Sequence, residues 1–266
     1  MDKPKSILFL GETYRADAQT WIKGIEAVSG IQIDTLEVKG TKTRFKRILA
    51  FFGFAWQIVV LNFTKTYDLV LAERATSYGL FSLLVKAKKR IVAQQGITDA
   101  WPETGFSGFY KRILQQLVYS KVDLIHAWGE VMVPAMLNSK ANPNKILVLP
   151  KGIDLTFYKM GEKKNPHLAI VTRSFTEVYH HEDILDALAL LNRHGWSLQV
   201  IMVGDGILAE YLKRKTVELN LSHLVSFTGR IPNHELPKLL EKASIYLSVP
   251  ETEGVSASLF EAMATG

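Results

Sequence analysis

The chain has 266 residues, enough for one large domain or two ordinary ones. Apolar residues make up 47% of it and charged residues 22%, a balance that excludes a disordered or fibrous protein. The absence of cysteine excludes disulfides, thiolate metal sites and a catalytic cysteine, and the net charge of +6 favours phosphate-bearing ligands, acidic membranes or nucleic acid as partners.

The amino-terminal residues do not have the pattern of a signal peptide. The first apolar run, 6–10, is too short for the core of a secretory signal, and no small-residue cleavage site follows it. We therefore expect the protein to stay in the cytoplasm, either free or on the inner face of the cytoplasmic membrane.

The first 150 residues or so alternate short apolar runs with longer segments of helical spacing. Nearly continuous apolar strands separated by helices are typical of a parallel sheet that helices cover on both faces. The predicted strands are 6–10, 31–38, 68–72, 90–93, 123–127 and 145–149, and the predicted helices are 16–28, 45–63, 78–87 and 109–120.

The most apolar segment, 48–63, follows a cluster of basic residues. It is shorter than the roughly 20 residues that cross a bilayer, and Gln57 and Asn62 interrupt it. Its apolar residues are typical of a buried helix in an α/β layer, but the basic cluster beside Phe and Trp is equally typical of a helix on anionic lipid. Peripheral contact of residues 42–63 with an anionic membrane therefore remains a hypothesis.

A polar segment at 159–167, with Gly161 and Pro166, interrupts the alternation. It predicts a linker between a first domain at 1–158 and a second at 168–266. The predicted strands of the second domain are 168–172, 197–203, 225–228 and 244–248, and its helices are 182–193, 208–220, 234–242 and one from 255 onward. The fold class is α/β with two doubly wound, Rossmann-like domains, and we expect the second to be incomplete at its carboxyl end.

The turn at 250–254 leads from the last predicted strand into the last helix. Ligands of open α/β sheets bind at this edge, and a helix start offers backbone N–H groups to a phosphate. Glu253 and Glu261 lie about 12 Å apart along a helix axis and suit hydroxyls at the two ends of a long ligand. Taken alone, the pair is explained better by one glutamate near a helix start and one on an exposed face.

Arg173 directly follows the first strand of the second domain, where a guanidinium can bind a phosphate with two hydrogen bonds. Gly204 and Gly206, with Ala209, match G-x-G-x-x-A, which raises a dinucleotide-binding alternative. The motif follows the second strand of its domain, and the acidic residue required about 20 positions later is missing. We therefore expect these glycines to allow a tight turn and a close approach to a neighbour's ligand.

Five different motifs occur in a characteristic order over about 115 residues of the chain. They are Pro150-Lys151-Gly152-Ile153-Asp154 with Phe157, Thr172-Arg173-Ser174, Val203-Gly204-Asp205-Gly206, Phe227-Thr228-Gly229-Arg230-Ile231 with His234-Glu235-Leu236, and Pro250 to Glu253-Gly254 with Glu261-Ala262-Met263-Ala264-Thr265-Gly266. Through them the second domain resembles the donor half of family 4 glycosyltransferases of the GT-B fold, and the first domain resembles that family in architecture only. The resemblance implies two domains facing a cleft, with the chain truncated within the donor domain.

The resemblance also implies the activity of a retaining, hexosyltransferase-type glycosyltransferase that takes a nucleotide-sugar donor and needs neither a metal nor another cofactor. Arg173 would bind the diphosphate as a catalytic residue, and Glu253, also catalytic, would lie beside the donor sugar. Glu261 would bind the ribose hydroxyls. The other donor contacts implied are Gly11, Gly204, Arg230, Ile231, Gly254, Val255 and Ser256.

Two departures from the family pattern affect this assignment. A lysine common several residues after the arginine is missing, and Tyr179 or His180 is its candidate replacement. A frequent His-Gly pair of the first domain appears as Gln95-Gly96. Gln95, Asp99 and Trp101 are the acceptor-side candidates, although an ordinary surface loop explains this stretch equally well.

His180 and His181, with the two acidic residues after them, could suggest a metal site. Adjacent residues do not easily face one ion, and the pattern is explained better by a helix start with an acidic first turn. We therefore expect no metal site here.

Three functions remain open on the sequence. The first is transfer of a sugar to a sugar, lipid-linked or small-molecule acceptor in glycan, cell-envelope polysaccharide or glycolipid synthesis. The second is a nucleotide-sugar isomerase (epimerase) of the same architecture, and the third is an inactive, truncated fragment. Nucleic acid is not expected as a partner, because the basic residues lack a recognisable groove-reading or single-strand module.

Overall fold

A computed structural model describes residues 5–38, 44–95, 105–150, 152–251 and 256–266 of the protein. The chain divides into two compact units, Met1–Gly152 and Ile153–Gly266. Five of the predicted site residues lie outside the described residues: Asp99, Trp101, Glu253, Gly254 and Val255.

The first unit is built on a parallel sheet with the strand order β2-β1-β3-β4-β5-β6. The strands are β1 (Ile7–Leu10), β2 (Ile33–Leu36), β3 (Tyr67–Glu73), β4 (Ala87–Gln94), β5 (Leu124–Ala127) and β6 (Ile146–Val148), and the helices are α1 (Ala16–Ser29), α2 (Arg44–Thr64), α3 (Leu80–Ser82), α4 (Gly105–Lys121) and α5 (Val133–Asn138). Because β1 pairs with both β2 and β3, the direction of winding reverses there. Such a switch point creates a crevice at the carboxyl ends of the two strands.

The predicted alternation of strands and helices is confirmed in the first unit, with two local differences. In place of a helix over 78–87, a π-helix at Arg74–Gly79 leads into the short α3. The helix cannot continue to 87, because β4 already begins at Ala87, which pairs with Tyr67. Helix α5 was not predicted, because six residues are too few to show a helical period in the sequence.

The second unit contains a parallel sheet with the order β10-β7-β8-β9. Its strands are β7 (Asn165–Val171), β8 (Gln199–Val203), β9 (Val225–Gly229) and β10 (Ala243–Tyr246), and its helices are α6 (His181–Arg193), α7 (Ala209–Glu218), α8 (Leu236–Leu240) and α9 (Ala257–Ala264). The four predicted strands are confirmed. Strand β7 pairs with β8 and β10, so a second switch point lies beyond the ends of β7 and β10.

The boundary between the units lies earlier in the chain than the composition predicted. The division falls between Gly152 and Ile153 rather than at 158/159, and the expected linker 159–167 belongs to the second unit. The backbone N–H of Gly161 donates to the Thr265 carbonyl at 3.2 Å, and Asn165, already the first residue of β7, donates to the Lys242 carbonyl at 2.8 Å. The polar composition of the segment therefore reflects exposed side chains on a backbone that is bound to its own unit.

Candidate functional site

The loops after β7 and β8 are locked together by their backbones. A Cβ atom on Gly204 would lie 2.3 Å from the carbonyl oxygen of Arg173, and one on Gly206 would lie 2.4 Å from that of Phe175. The Phe175 N–H donates to the Asp205 carbonyl at 3.0 Å. The glycines therefore permit a close approach of backbone to backbone, whereas the prediction had named a neighbour's ligand as the approaching group.

Arg173 extends from this locked loop at the second switch point. Its guanidinium donates a hydrogen bond to Ser256 Oγ. The carbon of the guanidinium also lies 5.0 Å from the centre of the Tyr179 ring, within the range of a cation–π interaction. Ser256 in turn caps α9, because its Oγ accepts the N–H of Leu259 at 3.0 Å. Two fixed neighbours thus orient the positive charge.

Tyr179, rather than His180, is the candidate replacement that contacts Arg173. His180 lies in the left-handed region, with φ of 42°, and its Nδ1 is 4.0 Å from the carboxylate of Asp183. Of the two residues proposed for the position of the missing lysine, only Tyr179 has a described contact with the guanidinium. The face of an aromatic ring attracts a cation, so Tyr179 can orient the Arg173 guanidinium.

His181 anchors the same segment from inside the unit. It is the first residue of α6, it is buried, and its Nε2 lies 3.0 Å from the Ser174 carbonyl. A carbonyl only accepts hydrogen bonds, so Nε2 carries the proton, and burial lowers the pKa of His181. The expectation of a helix start is confirmed. Across the part of the chain that the structure describes, no three His, Asp or Glu side chains gather in a way that could hold a metal ion.

Four of the predicted donor contacts line one pocket of about 230 Å³ in the second unit: Arg173, Gly204, Arg230 and Ile231. The recognised motifs also supply five lining residues to which sequence reasoning assigned no role, and only Asn233 lies outside the motifs: the five are Thr172, Ser174, Val203, Asp205 and Leu236. A larger hollow of about 540 Å³ lies at the opposite edge of the sheet but has no Arg or Lys in its lining. An anionic ligand therefore suits the smaller pocket.

Glu261 is held by a residue that the sequence analysis missed. The hydroxyl of Tyr158 donates to the Glu261 carboxylate, and burial and then that carboxylate raise the pKa of Tyr158 above its usual range. The phenol therefore stays protonated and fixes the carboxylate. Tyr158 also packs in the apolar cluster that contains Ile231. Its position directly after Phe157, the last residue of a recognised motif, was the signal available in the sequence.

A second polar cluster lies at the switch point of the first unit. Glu73, at the end of β3, is buried and accepts the N–H of Glu12 at 2.9 Å and the side-chain amide of Gln95. A Cβ atom on Gly11 would lie 2.6 Å from Glu73 Oε2. Two predicted residues, Gly11 and Gln95, thus meet at one carboxylate that sequence reasoning missed. A polar Glu-Arg pair directly after an apolar strand was the signal for it.

Glu12 adds a further charge pair at this edge. Its carboxylate bonds to Arg74, and Arg15 lies 3.3 Å away. Burial would raise the pKa of Glu12, but the hydrogen bonds and positive charges of the two arginines hold it below its usual range. Glu12 therefore stays ionised at neutral pH and fixes Arg74.

The family described as "Glycosyl transferases group 1" matches residues 153–266. A Campylobacter jejuni protein, N-acetylgalactosamine-N,N'-diacetylbacillosaminyl-diphospho-undecaprenol 4-alpha-N-acetylgalactosaminyltransferase, is 24% identical over 225 residues. A putative colanic acid biosynthesis glycosyltransferase of Salmonella typhimurium, WcaL, is 23% identical over 160 residues.

The alignments cover 81% and 57% of this chain but 60% and 39% of the two relatives, so the chain spans only part of their length. Among solved structures, Anabaena HepE in complex with UDP is similar with a TM-score of 0.73 and 15% identity, over 98% of this chain and 78% of that one. The second unit is therefore similar in sequence to group 1 glycosyltransferases, and the chain has the α/β fold with Rossmann-like units of GT-B glycosyltransferases.

Proposed function

We propose that the chain is all or part of a retaining glycosyltransferase that moves a sugar, in the expected case a hexose, from a nucleotide-sugar donor to an acceptor in cell-envelope glycan synthesis. The observation that carries the proposal is the placement of Arg173 at the second switch point, where the Tyr179 ring and Ser256 orient its charge. The similar proteins are named as glycosyltransferases, which favours transfer of a sugar to an acceptor over isomerisation of a nucleotide sugar.

Arg173 would act on the charge that develops as the donor breaks. In the proposed reaction the bond from the anomeric carbon to the diphosphate oxygen breaks, and the diphosphate leaves with the electron pair. A new bond forms to the acceptor hydroxyl on the same face of the sugar, and the acceptor's proton passes to the departing diphosphate. A preoriented guanidinium stabilises that negative charge with little reorganisation. We propose on this ground that transfer needs no metal, and that Glu253 and the amides of Val255 and Ser256 complete the donor site.

We further propose that the donor nucleotide is a uridine diphosphate and that the acceptor is a lipid-linked sugar. The first proposal draws on the HepE complex with UDP, and the second on the diphospho-undecaprenol in the name of the Campylobacter relative. Glu261, fixed by Tyr158, would receive the ribose hydroxyls. The Glu73–Gln95 cluster is our candidate for the acceptor side, with Asp99 and Trp101.

Calorimetric titration of the full chain with UDP, GDP and ADP tests the donor proposal. We expect UDP to bind with a dissociation constant in the micromolar range and to bind more tightly than the other two nucleotides. The pocket and its two arginines, Arg173 and Arg230, belong to the second unit alone, and the titration measures binding without any acceptor or turnover. Failure of all three nucleotides to bind would contradict the proposal.

Replacing Tyr179 with leucine is expected to weaken UDP binding about fivefold, because the cation–π contact between two half-buried side chains contributes on the order of 1 kcal/mol to the orientation of Arg173. Tyr179→Phe keeps the aromatic face and should bind UDP like the wild type. Calorimetric dissociation constants for both variants decide the point. Equal weakening in the two would show that the hydroxyl matters and that the ring does not.

A further inference from the structure

Helix α2 carries an apolar stripe on the side that faces solvent. Its members recur every three or four residues and therefore lie along one side of the helix. Phe52, Trp56 and Phe63 expose 71%, 68% and 84% of their surface, and Leu49 and Val60 extend the stripe. The core takes different residues of the same helix, Phe54 and Ile58 among them. The stripe is therefore additional to the apolar surface that α2 needs for packing. Within the described ranges, no helix is long and apolar enough to cross a bilayer.

Helix α4 repeats the pattern. Phe109, Ile113 and Leu117 recur at intervals of four residues and are exposed, as is Tyr110. Val118 and Tyr119 of the same helix are buried in the core. Helix α4 therefore also presents an apolar stripe to solvent.

The two helices lie on the same side of the first sheet. In the parallel register, Ala72 of β3 pairs with Val92 of β4, and Val92 pairs with Ile125 of β5. Paired residues of neighbouring strands point to the same face. Ala72 packs in the cluster that contains the buried residues of α2, while Val92 and Ile125 pack in the cluster of α4. Helices α2 and α4 therefore share one layer, which we call the two-helix face.

The two helices carry charge of a single sign. Helices α2 and α4 contain six basic residues and no acidic one. The basic residues are Arg44, Lys46, Arg47, Lys111, Arg112 and Lys121. On the opposite side of the sheet, α1 contains two acidic residues, Asp17 and Glu26, and one basic residue, Lys23, and Val28 is its one large apolar residue that the structure describes as exposed. The exposed apolar stripes and the charge of a single sign thus belong to α2 and α4 and not to α1.

We propose that the two-helix face rests on the surface of an anionic lipid bilayer. Exposed aromatic and aliphatic residues would enter the headgroup region, while the basic residues would attract anionic headgroups. A second copy of the chain is a poor occupant, because it would bring a second all-basic face against the first. The role of this membrane contact rests on the proposed function, because a lipid-linked acceptor would be presented at the bilayer surface.

Co-sedimentation with vesicles tests this inference without any substrate. The full chain should sediment with vesicles of phosphatidylglycerol and phosphatidylcholine at low salt, remain in solution with phosphatidylcholine alone, and be released by high salt. Trp56→Ser should weaken the partition on the order of tenfold, because an apolar side chain of this size is lost. Lys46→Gln with Arg112→Gln should weaken it about 25-fold, at roughly fivefold for each charge.

Matched variants in the second unit serve as controls. Trp196 is as exposed as Trp56, at 69% against 68%, so Trp196→Ser should bind vesicles like the wild type. Arg214→Gln with Lys238→Gln removes two exposed charges elsewhere and should have little effect. Equal losses in the two tryptophan variants, or no sedimentation of the wild type with anionic vesicles, would overturn the inference. So would a dimer in sedimentation velocity that Trp56→Ser turns into a monomer, if the wild type binds no vesicles.

UDP titration of the same samples separates the two proposals. Retained UDP binding without vesicle binding overturns the membrane inference alone. Vesicle binding without nucleotide binding supports the two-helix face and contradicts the proposed donor site.

Discussion

Arg173→Ala is expected to abolish sugar transfer and to weaken UDP binding about 100-fold. Two charge-assisted hydrogen bonds to a diphosphate contribute about 3 kcal/mol together, and alanine removes both. The fold should survive, since Ser256 still accepts the Leu259 N–H and caps α9 without the arginine. Calorimetry gives the affinity, and the melting temperature gives the stability.

Two variants serve as controls for Arg173→Ala. Arg214→Ala removes an exposed arginine of α7 and should leave UDP binding unchanged. Arg173→Lys keeps the positive charge but loses the planar guanidinium that can donate two parallel hydrogen bonds, so its affinity for UDP should lie between those of Arg173→Ala and the wild type. Near-normal UDP binding by Arg173→Ala would contradict the assignment of Arg173 to the donor site.

Gly204→Ala is expected to lower the free energy of unfolding by about 3 kcal/mol, because backbone strain and a steric clash coincide there. Gly204 has φ of 148°, which a residue with a Cβ rarely adopts, and the Cβ would meet the Arg173 carbonyl at 2.3 Å. That neighbour is backbone, so relief requires moving the loop that carries Arg173. We therefore also expect UDP binding to fall, and urea unfolding followed by circular dichroism measures the stability.

Gly229→Ala separates the strain from the clash. Gly229 also has a positive φ, of 69°, but a Cβ there would meet nothing within 4 Å. The substitution should cost about 1 kcal/mol, the ordinary penalty for a left-handed residue. If the two alanine variants lose the same stability, contact between the loops does not contribute.

The order of elements and the placement of Arg173 were predictable because both depend on local pattern. Apolar runs of four to eight residues between helical segments indicate parallel strands, and a charged residue directly after such a run lies at the ligand-binding edge of the sheet. Arg173 follows β7 in this way, whereas Arg230, which lines the same pocket, was implied by the family resemblance.

Contacts between distant residues were not predictable from those patterns. Glu73 meets Gln95 across 22 positions, and Glu261 meets Tyr158 across more than 100. Neither pair shares a helix or strand, so no period in the sequence relates the partners. The same limit explains the boundary error at 159–167, where polar composition could not reveal that the Gly161 backbone bonds to Thr265.

Periodicity also could not decide which side of α2 faces the core. Phe54 and Ile58 are buried, whereas Phe52 and Trp56 are exposed, although all four are large and apolar. A helix that is apolar all round has no polar side to mark the direction of solvent. Only the packing against β1 and β3 separates its two faces.

The choice of serine at 256 has an electrostatic consequence. Its one oxygen accepts both the N–H that begins α9 and a hydrogen bond from Arg173. Aspartate would cap the helix equally well, but its carboxylate would place a full negative charge against the guanidinium and repel an incoming diphosphate. Serine accepts both hydrogen bonds while remaining neutral. Helix α9 is therefore capped without a negative charge that would compete with the proposed anionic ligand for Arg173.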